Sequence, residues 1–237
     1  MDTCWLLVDR EERKRGMNKK RPIRSVLRPL FPSVALFVKT LGLVYSRRSM
    51  LRQRGYAESS KSKRACRRDG SPLPWMNYHV IQFLEERLTK DLSLFEYGSG
   101  TSTAFYAVLV KDVVSVETEP DWYAEVKAVI PDNVELVQFD MSGEERYAEL
   151  AAKQGRKFDV IVVDAHERTE CLLEAPNAVS DRGVIVLDDS TPAEHRQGIE
   201  LLKSHGFREL LFEGLKPGSI KAYRTSVFYR DRNCLNI

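Results

Sequence analysis

From Asn77 onward, apolar and polar residues alternate with two different periods, and the period switches at regular intervals. "NYHVIQFLEERL" places Val80, Ile81, Phe83, Leu84 and Leu88 at helical spacing. "LSLFEYG" then reads as a strand and "TSTAFYAVLV" as a helix. "DVVSVET" is a second strand before the helix "PDWYAEVKAVI", where Pro120 suits a helix start. "VELVQFD" leads into the helix "GEERYAELAAKQ", and "FDVIVVDA" into one near "ERTECLLEAPNAV". "GVIVLDDS" precedes "PAEHRQGIELLKSHG", whose end is marked by Gly206. "FRELLFEGL" and "AYRTSVFYR" follow with no helix between them. Such strand–helix alternation predicts a mostly parallel sheet covered on both faces, because parallel crossovers need helices. The final helix-free pair predicts an antiparallel hairpin. The expected class is α/β, with a Rossmann-like, mostly parallel sheet.

The segment before Gly70 follows a different pattern. Its longest apolar run, Ser33 to Tyr45, is interrupted by Lys39 and is well short of the ~20 residues that span a bilayer. Basic flanks, "KKRPIRSVLRP" and "YSRRSMLRQR", leave two readings open. One is a helix docked on the main domain or a partner subunit. The other is an amphipathic helix in peripheral contact with an anionic membrane. Charge sharpens the division: residues 1–71 hold 19 Lys/Arg against 6 Asp/Glu, and the remainder holds 18 against 28. Residues 1–69 are therefore expected to form a basic, helical arm and residues 70–237 the main domain. The basic stretch Ser59 to Pro74 lacks interleaved aromatics, so a specific nucleic-acid contact is not expected.

With 43% hydrophobic and 30% charged residues, the chain of 237 falls outside the disordered and membrane-embedded classes. Cys4, Cys66, Cys171 and Cys234 are scattered without a CxxC pair and read as free thiols in a reducing compartment. No secretory signal is apparent, so a cytoplasmic location is expected.

In open α/β sheets, ligands bind beyond the carboxyl ends of the strands. Glu96 to Gly100, Glu117, Asp140, Asp164, Asp188 and Asp189 all fall at such ends. The turn "FEYGSGTST" matches the dinucleotide fingerprint GxGxxG only in part, since Thr103 replaces the third glycine. Glu96 ahead of the turn would repel a pyrophosphate but can accept a hydrogen bond from an ammonium. "EYGSGTS" followed by "VVSVETEPDWY" is instead similar to the first two motifs of class I S-adenosylmethionine-dependent methyltransferases. "DGSPLPWMNYHVIQFLEERL", "KFDVIVVDAHER", "GVIVLDDS" and "TSVFYRDRNCLNI" extend the resemblance, over Gly70 to Ile237, to a poorly characterised bacterial methyltransferase-like group.

That resemblance implies a seven-stranded sheet ending in a hairpin, and S-adenosylmethionine as cofactor. It implies that Glu96, Tyr97, Gly98, Ser99, Gly100, Thr101 and Ser102 surround the methionine part, with Thr101 standing where an Asn is expected. Glu117, followed by Thr118, takes the ribose hydroxyls. Trp122 is placed to pack on adenine, and Asp140, followed by Met141, to receive its amino group; Asp164 borders the cofactor as well. For the chemistry two routes stay open. Asp164 or His166 acts as general base, or Asp164, Asp188 and Asp189 hold a divalent cation such as Mg2+. The second route follows from a short similarity of "VVDAHERTE" and "VLDDS" to the metal-binding strand ends of catechol-type O-methyltransferases. "DAHE" after the fourth strand replaces the "NPPY"-type segment of amino-group methylation and points to an oxygen acceptor, on a small molecule or glycan. The alternatives are a nicotinamide-dependent oxidoreductase and a non-catalytic ligand-binding relative.

Overall fold

The structure, a computed structural model, describes residues 32–237. The arm before Pro32, Cys4 included, lies outside the described residues. The chain separates into two units, residues 1–46 and 47–237.

The described part of the first unit is the helix α1 (Pro32–Tyr45). None of its residues is buried, and Val34, Leu36, Phe37 and Val38 are each more than half exposed. Among the described residues, no helix is long and apolar enough to cross a membrane.

The second unit opens with two short helices, α2 (Met50–Gln53) and α3 (Tyr56–Ser62). Residues 47–69, grouped with the arm on charge, fold as part of this unit. Arg54 donates to Gln82 at 2.5 Å, Arg67 pairs with Glu85, and Ser59 Oγ donates to the Cys66 carbonyl at 2.9 Å. Helix α4 (Tyr78–Arg87) follows, capped by Asn77, whose side chain accepts from the Val80 N–H at 3.1 Å.

The alternation expected from the sequence is then present: β1 (Ser93–Tyr97), α5 (Thr101–Leu109), β2 (Asp112–Glu117), α6 (Pro120–Lys127) and β3 (Val134–Gln138). After a 3-10 turn (Tyr147–Glu149) and the single-turn α7 (Leu150–Lys153) come β4 (Phe158–Val163), α8 (Arg168–Glu174), β5 (Val179–Asp188) and α9 (Pro192–Ser204). The chain closes with β6 (Arg208–Leu215) and β7 (Ala222–Tyr229). The seven strands lie in the order β3-β2-β1-β4-β5-β7-β6. β7 inserts antiparallel between β5 and β6, and the other pairings are parallel. The expected mixed sheet with a terminal hairpin is therefore the observed one.

The strand order reverses between β1 and β4, which places a ligand-binding crevice beyond their carboxyl ends. The central strands are apolar almost throughout, as strands buried on both faces must be. Side-chain alternation splits the core. Phe95, Tyr97, Val114, Ile161 and Leu187 face one layer with Cys171, Leu172, Ile199 and Leu202. Leu94, Val113, Val160 and Val186 face the other, against Ile81, Leu84, Phe105 and Tyr106.

One expected element is cut short. The helix over "GEERYAELAAKQ" is reduced to the 3-10 turn and α7. Asp140 Oδ1 accepts from the Ser142 N–H and hydroxyl at 2.9 and 2.8 Å, which fixes a turn ahead of it. Tyr97 OH then donates to the Ala148 carbonyl at 2.6 Å, giving that backbone group a partner from the sheet instead of from a helix.

Candidate active site

At the carboxyl end of β1 the chain turns through Gly98 with φ +99°. A Cβ there would stand 2.8 Å from the Asp164 carbonyl oxygen, so only glycine lets the ends of β1 and β4 approach this closely. The turn is held from below. Thr103 Oγ1 accepts from the Gly100 N–H at 3.0 Å and donates to Glu96 at 2.7 Å; Ser115 Oγ donates to the same Glu96 oxygen at 2.7 Å. The residue that breaks the dinucleotide fingerprint thus ties the glycine turn to a buried carboxylate. Burial pushes the Glu96 carboxyl up, against the hydrogen bonds from Ser102, Thr103 and Ser115.

At the end of β2, Glu117 is fixed by three donors. Its Oε1 accepts from the N–H groups of Thr118 and Glu119 at 2.9 and 3.0 Å, and its Oε2 from Ser99 Oγ at 2.6 Å. A carboxylate offers about four lone-pair positions, so Glu117 retains acceptor capacity toward the space in front of it. That space is a cleft of about 190 Å³ whose wall includes Gly98, Ser99, Glu117, Tyr147, Asp164 and His166. Tyr147 is buried, and its hydroxyl has no hydrogen-bond partner among the described residues, an orphan polar atom of the kind a bound ligand satisfies.

A second cleft, of about 490 Å³, is lined by Trp75, Asp164, Asp189, Lys216, Gly218 and Tyr223 among others. Asp164 belongs to both walls. Its side chain is 24% exposed and meets Arg168 at 3.0 Å. Burial first, and then the charge of Asp188, push its carboxyl up to about 8, against the pull of Arg168 and Lys216. Asp188 is wholly buried and accepts from Lys216 Nζ at 2.5 Å and from Thr225 Oγ1 at 2.7 Å. Asp189, in the left-handed region at φ +51°, lies 2.7 Å from the same ammonium. Burial alone would lower the Lys216 pKa, but the two carboxylates outweigh it and hold it raised.

The expected metal trio does not fit a metal. Among the described residues, no group of three or more His, Cys, Asp or Glu is placed to hold an ion. Lys216 sits where the cation would, between Asp188 and Asp189, while Asp164 turns to Arg168.

Of the expected cofactor residues, Gly98, Ser99, Glu117, Thr118 and Asp164 line the first cleft, and His166, an expected base, lies exposed on its rim. The others take different places. Glu96 and Tyr97 are buried on opposite faces of β1, because strand alternation carries their side chains into the two helix layers. Gly100 lies against Trp122, which a Cβ would meet at 3.3 Å; the indole donates to the Ser99 carbonyl at 3.0 Å and braces the turn. Thr101 and Ser102 begin α5. Asp140 is exposed and spent on Ser142, and Met141 is exposed beside it. Tyr147 and Lys216 escaped the sequence reading. Both sit in segments with no motif, and each reaches the site only through tertiary packing.

The fold has known relatives, although no protein-family model matches the chain and no curated protein matches it in sequence. A protein from Klebsiella pneumoniae, provisionally named an O-methyltransferase, superposes with a TM-score of 0.54 at 15% identity, over 82% of this chain and 96% of that one. A precorrin-8w decarboxylase from Methanobacterium thermoautotrophicum gives 0.50 at 20% identity, over 64% and 87%. The topology and these likenesses show the fold, a Rossmann-like methyltransferase fold.

Proposed function

We propose that the chain is an S-adenosylmethionine-dependent methyltransferase that methylates an oxygen of a small molecule or glycan. The observation that carries this reading is the pair of clefts meeting at Asp164, one behind the glycine turn and one in front of Lys216. The residues of the first cleft suit the cofactor. Glu117 keeps an acceptor position on Oε2 for a ribose hydroxyl, Gly98 leaves room for close approach, and Tyr147 offers an unspent hydroxyl. When bound, S-adenosylmethionine supplies a methyl group on a sulfonium sulfur, an electrophile that needs no metal. The chain's contribution is to orient the acceptor in the second cleft and to accept its proton. Asp164 has the position for that proton; its carboxyl ionises as pH rises through about 8, and the ionised form is a stronger base than an ordinary aspartate.

Calorimetry with S-adenosylhomocysteine and with NADH tests the cofactor directly. Binding of the first and not the second is expected; NADH binding alone would support the oxidoreductase. Replacing Glu117 with Ala should weaken S-adenosylhomocysteine binding by about 1.5–3 kcal/mol, the scale of a charged hydrogen bond. An unchanged affinity in the folded variant would reject the ribose assignment. Cofactor binding without transfer of a labelled methyl group to any hydroxyl acceptor would favour the non-catalytic relative.

A further inference from the structure

We infer that Lys216 is the anchor for the acceptor: a fixed ammonium that holds the oxygen of a neutral, ring-borne hydroxyl in the second cleft. The inference rests on the methyltransferase reading and names the substrate class of that same site. Lys216 lies in the turn between β6 and β7, its side chain only 8% exposed, with Nζ 2.5 Å from Asp188 and 2.7 Å from Asp189. An ammonium carries three N–H donors. One is donated to Asp188, and Asp189 lies beside the ammonium as an ion pair, which leaves donor capacity for a group in the cleft that Lys216 lines. Burying such a cluster is costly compared with an apolar core, but it gives a charge that needs no reorganisation when a partial negative charge develops in front of it.

The surroundings select the ligand. Among the described residues, the ion-pair partners of Asp164, Asp188 and Asp189 are Lys216 and Arg168, so the cluster carries no net positive charge with which to attract a phosphate or carboxylate. A neutral hydroxyl can still accept from Lys216 and donate to Asp164. Two aromatic side chains frame the same cleft: Trp75, 46% exposed, and Tyr223, whose ring centre is 4.6 Å from the Lys216 ammonium. Flat apolar faces of this kind hold a ring, either a phenol or a pyranose. As the acceptor oxygen bonds to the methyl carbon, the carbon–sulfur bond breaks with its electron pair going to sulfur. The hydroxyl proton passes to Asp164, leaving a methyl ether and a neutral thioether.

The test uses the full chain saturated with S-adenosylhomocysteine, whose binding is measured first and separately; if it fails to bind, the cofactor reading falls on that result. Two probes follow. 4-Nitrophenol, whose absorption responds to hydrogen bonding and ionisation of its hydroxyl, should show a shifted spectrum when bound. Methyl α-D-glucopyranoside should change tryptophan emission, and Trp75→Phe should remove that change. A signal from the first probe identifies the phenol class, and from the second the sugar class. Lys216→Met should abolish whichever signal is seen, by at least tenfold in affinity, and leave S-adenosylhomocysteine affinity unchanged; Lys216→Arg should restore part of it. Because Lys216→Met strands a buried carboxylate, the paired variant Lys216→Met/Asp188→Asn serves as the folded control. Neither probe producing a signal on cofactor-saturated wild type, or a signal that survives both Met variants, would overturn the inference.

Discussion

Asp164 shows how much one carboxylate's surroundings can change its chemistry. In the unfolded chain it titrates near the ordinary aspartate value of about 3.9. In the fold, burial and Asp188 hold it up to about 8. The folded protein therefore binds this proton more tightly than the unfolded one. The resulting stabilisation is complete below the ordinary pKa and is lost as pH rises through about 8. Asn cannot ionise, so Asp164→Asn should match wild type in thermal midpoint at about pH 4, gain on it progressively from there, and hold a constant advantage above about pH 8. Thermal melts across this range check the sign, and an advantage that does not vary with pH would show an unshifted carboxyl. The same variant should lose most transferase activity. Glu117 was legible in the sequence because an acid at a strand end is a local signal. The place of Glu96 was not, because its role depends on Thr103 and Ser115 converging from α5 and β2.

Among the described elements, α1 has no buried residue. Its Phe37 is 63% and Leu36 64% exposed, and arginines follow it in sequence at 47 and 48. If the helix rests on lipid, the full-length protein should float with vesicles containing phosphatidylglycerol at low salt and be released at high salt. Phe37→Glu should reduce the bound fraction several-fold. Equal flotation of wild type and variant, or none at any salt, would remove the membrane reading and leave docking on protein. At the same scale, the strands and long helices follow the hydrophobic period closely, whereas the segment after β3 does not. Its helical pattern yields to the Asp140 turn and to the Tyr97 hydroxyl, both of which capture backbone groups a longer helix would have used.

For the whole molecule, the proposed function has the two clefts bind ligands that the unfolded chain cannot. S-adenosylhomocysteine at a hundred times its Kd should stabilise the fold by about 2.7 kcal/mol, a rise of about 5–11 °C for a domain of this size. Magnesium and chelator should leave both the midpoint and the transferase rate unchanged, since the Lys216 ammonium already stands between Asp188 and Asp189. A midpoint raised by magnesium and abolished in Asp188→Asn would return those carboxylates to a metal.

The sequence by itself determined the elements, the parallel sheet with its closing hairpin, and a row of acids and glycines along one sheet edge. These are short-range properties: hydrophobic period, turn residues, and the rule that parallel strands need crossovers. Only the tertiary structure decided which of those residues share a cavity. Strand alternation buried Glu96 and Tyr97 in opposite layers, and the hairpin carried Lys216 back across the sheet to Asp188, 28 residues earlier in the chain. No local pattern encodes that return, because the contact is made by the β5–β7 pairing and not by neighbours in sequence. The ammonium that occupies the expected metal position became visible only once the strands were paired.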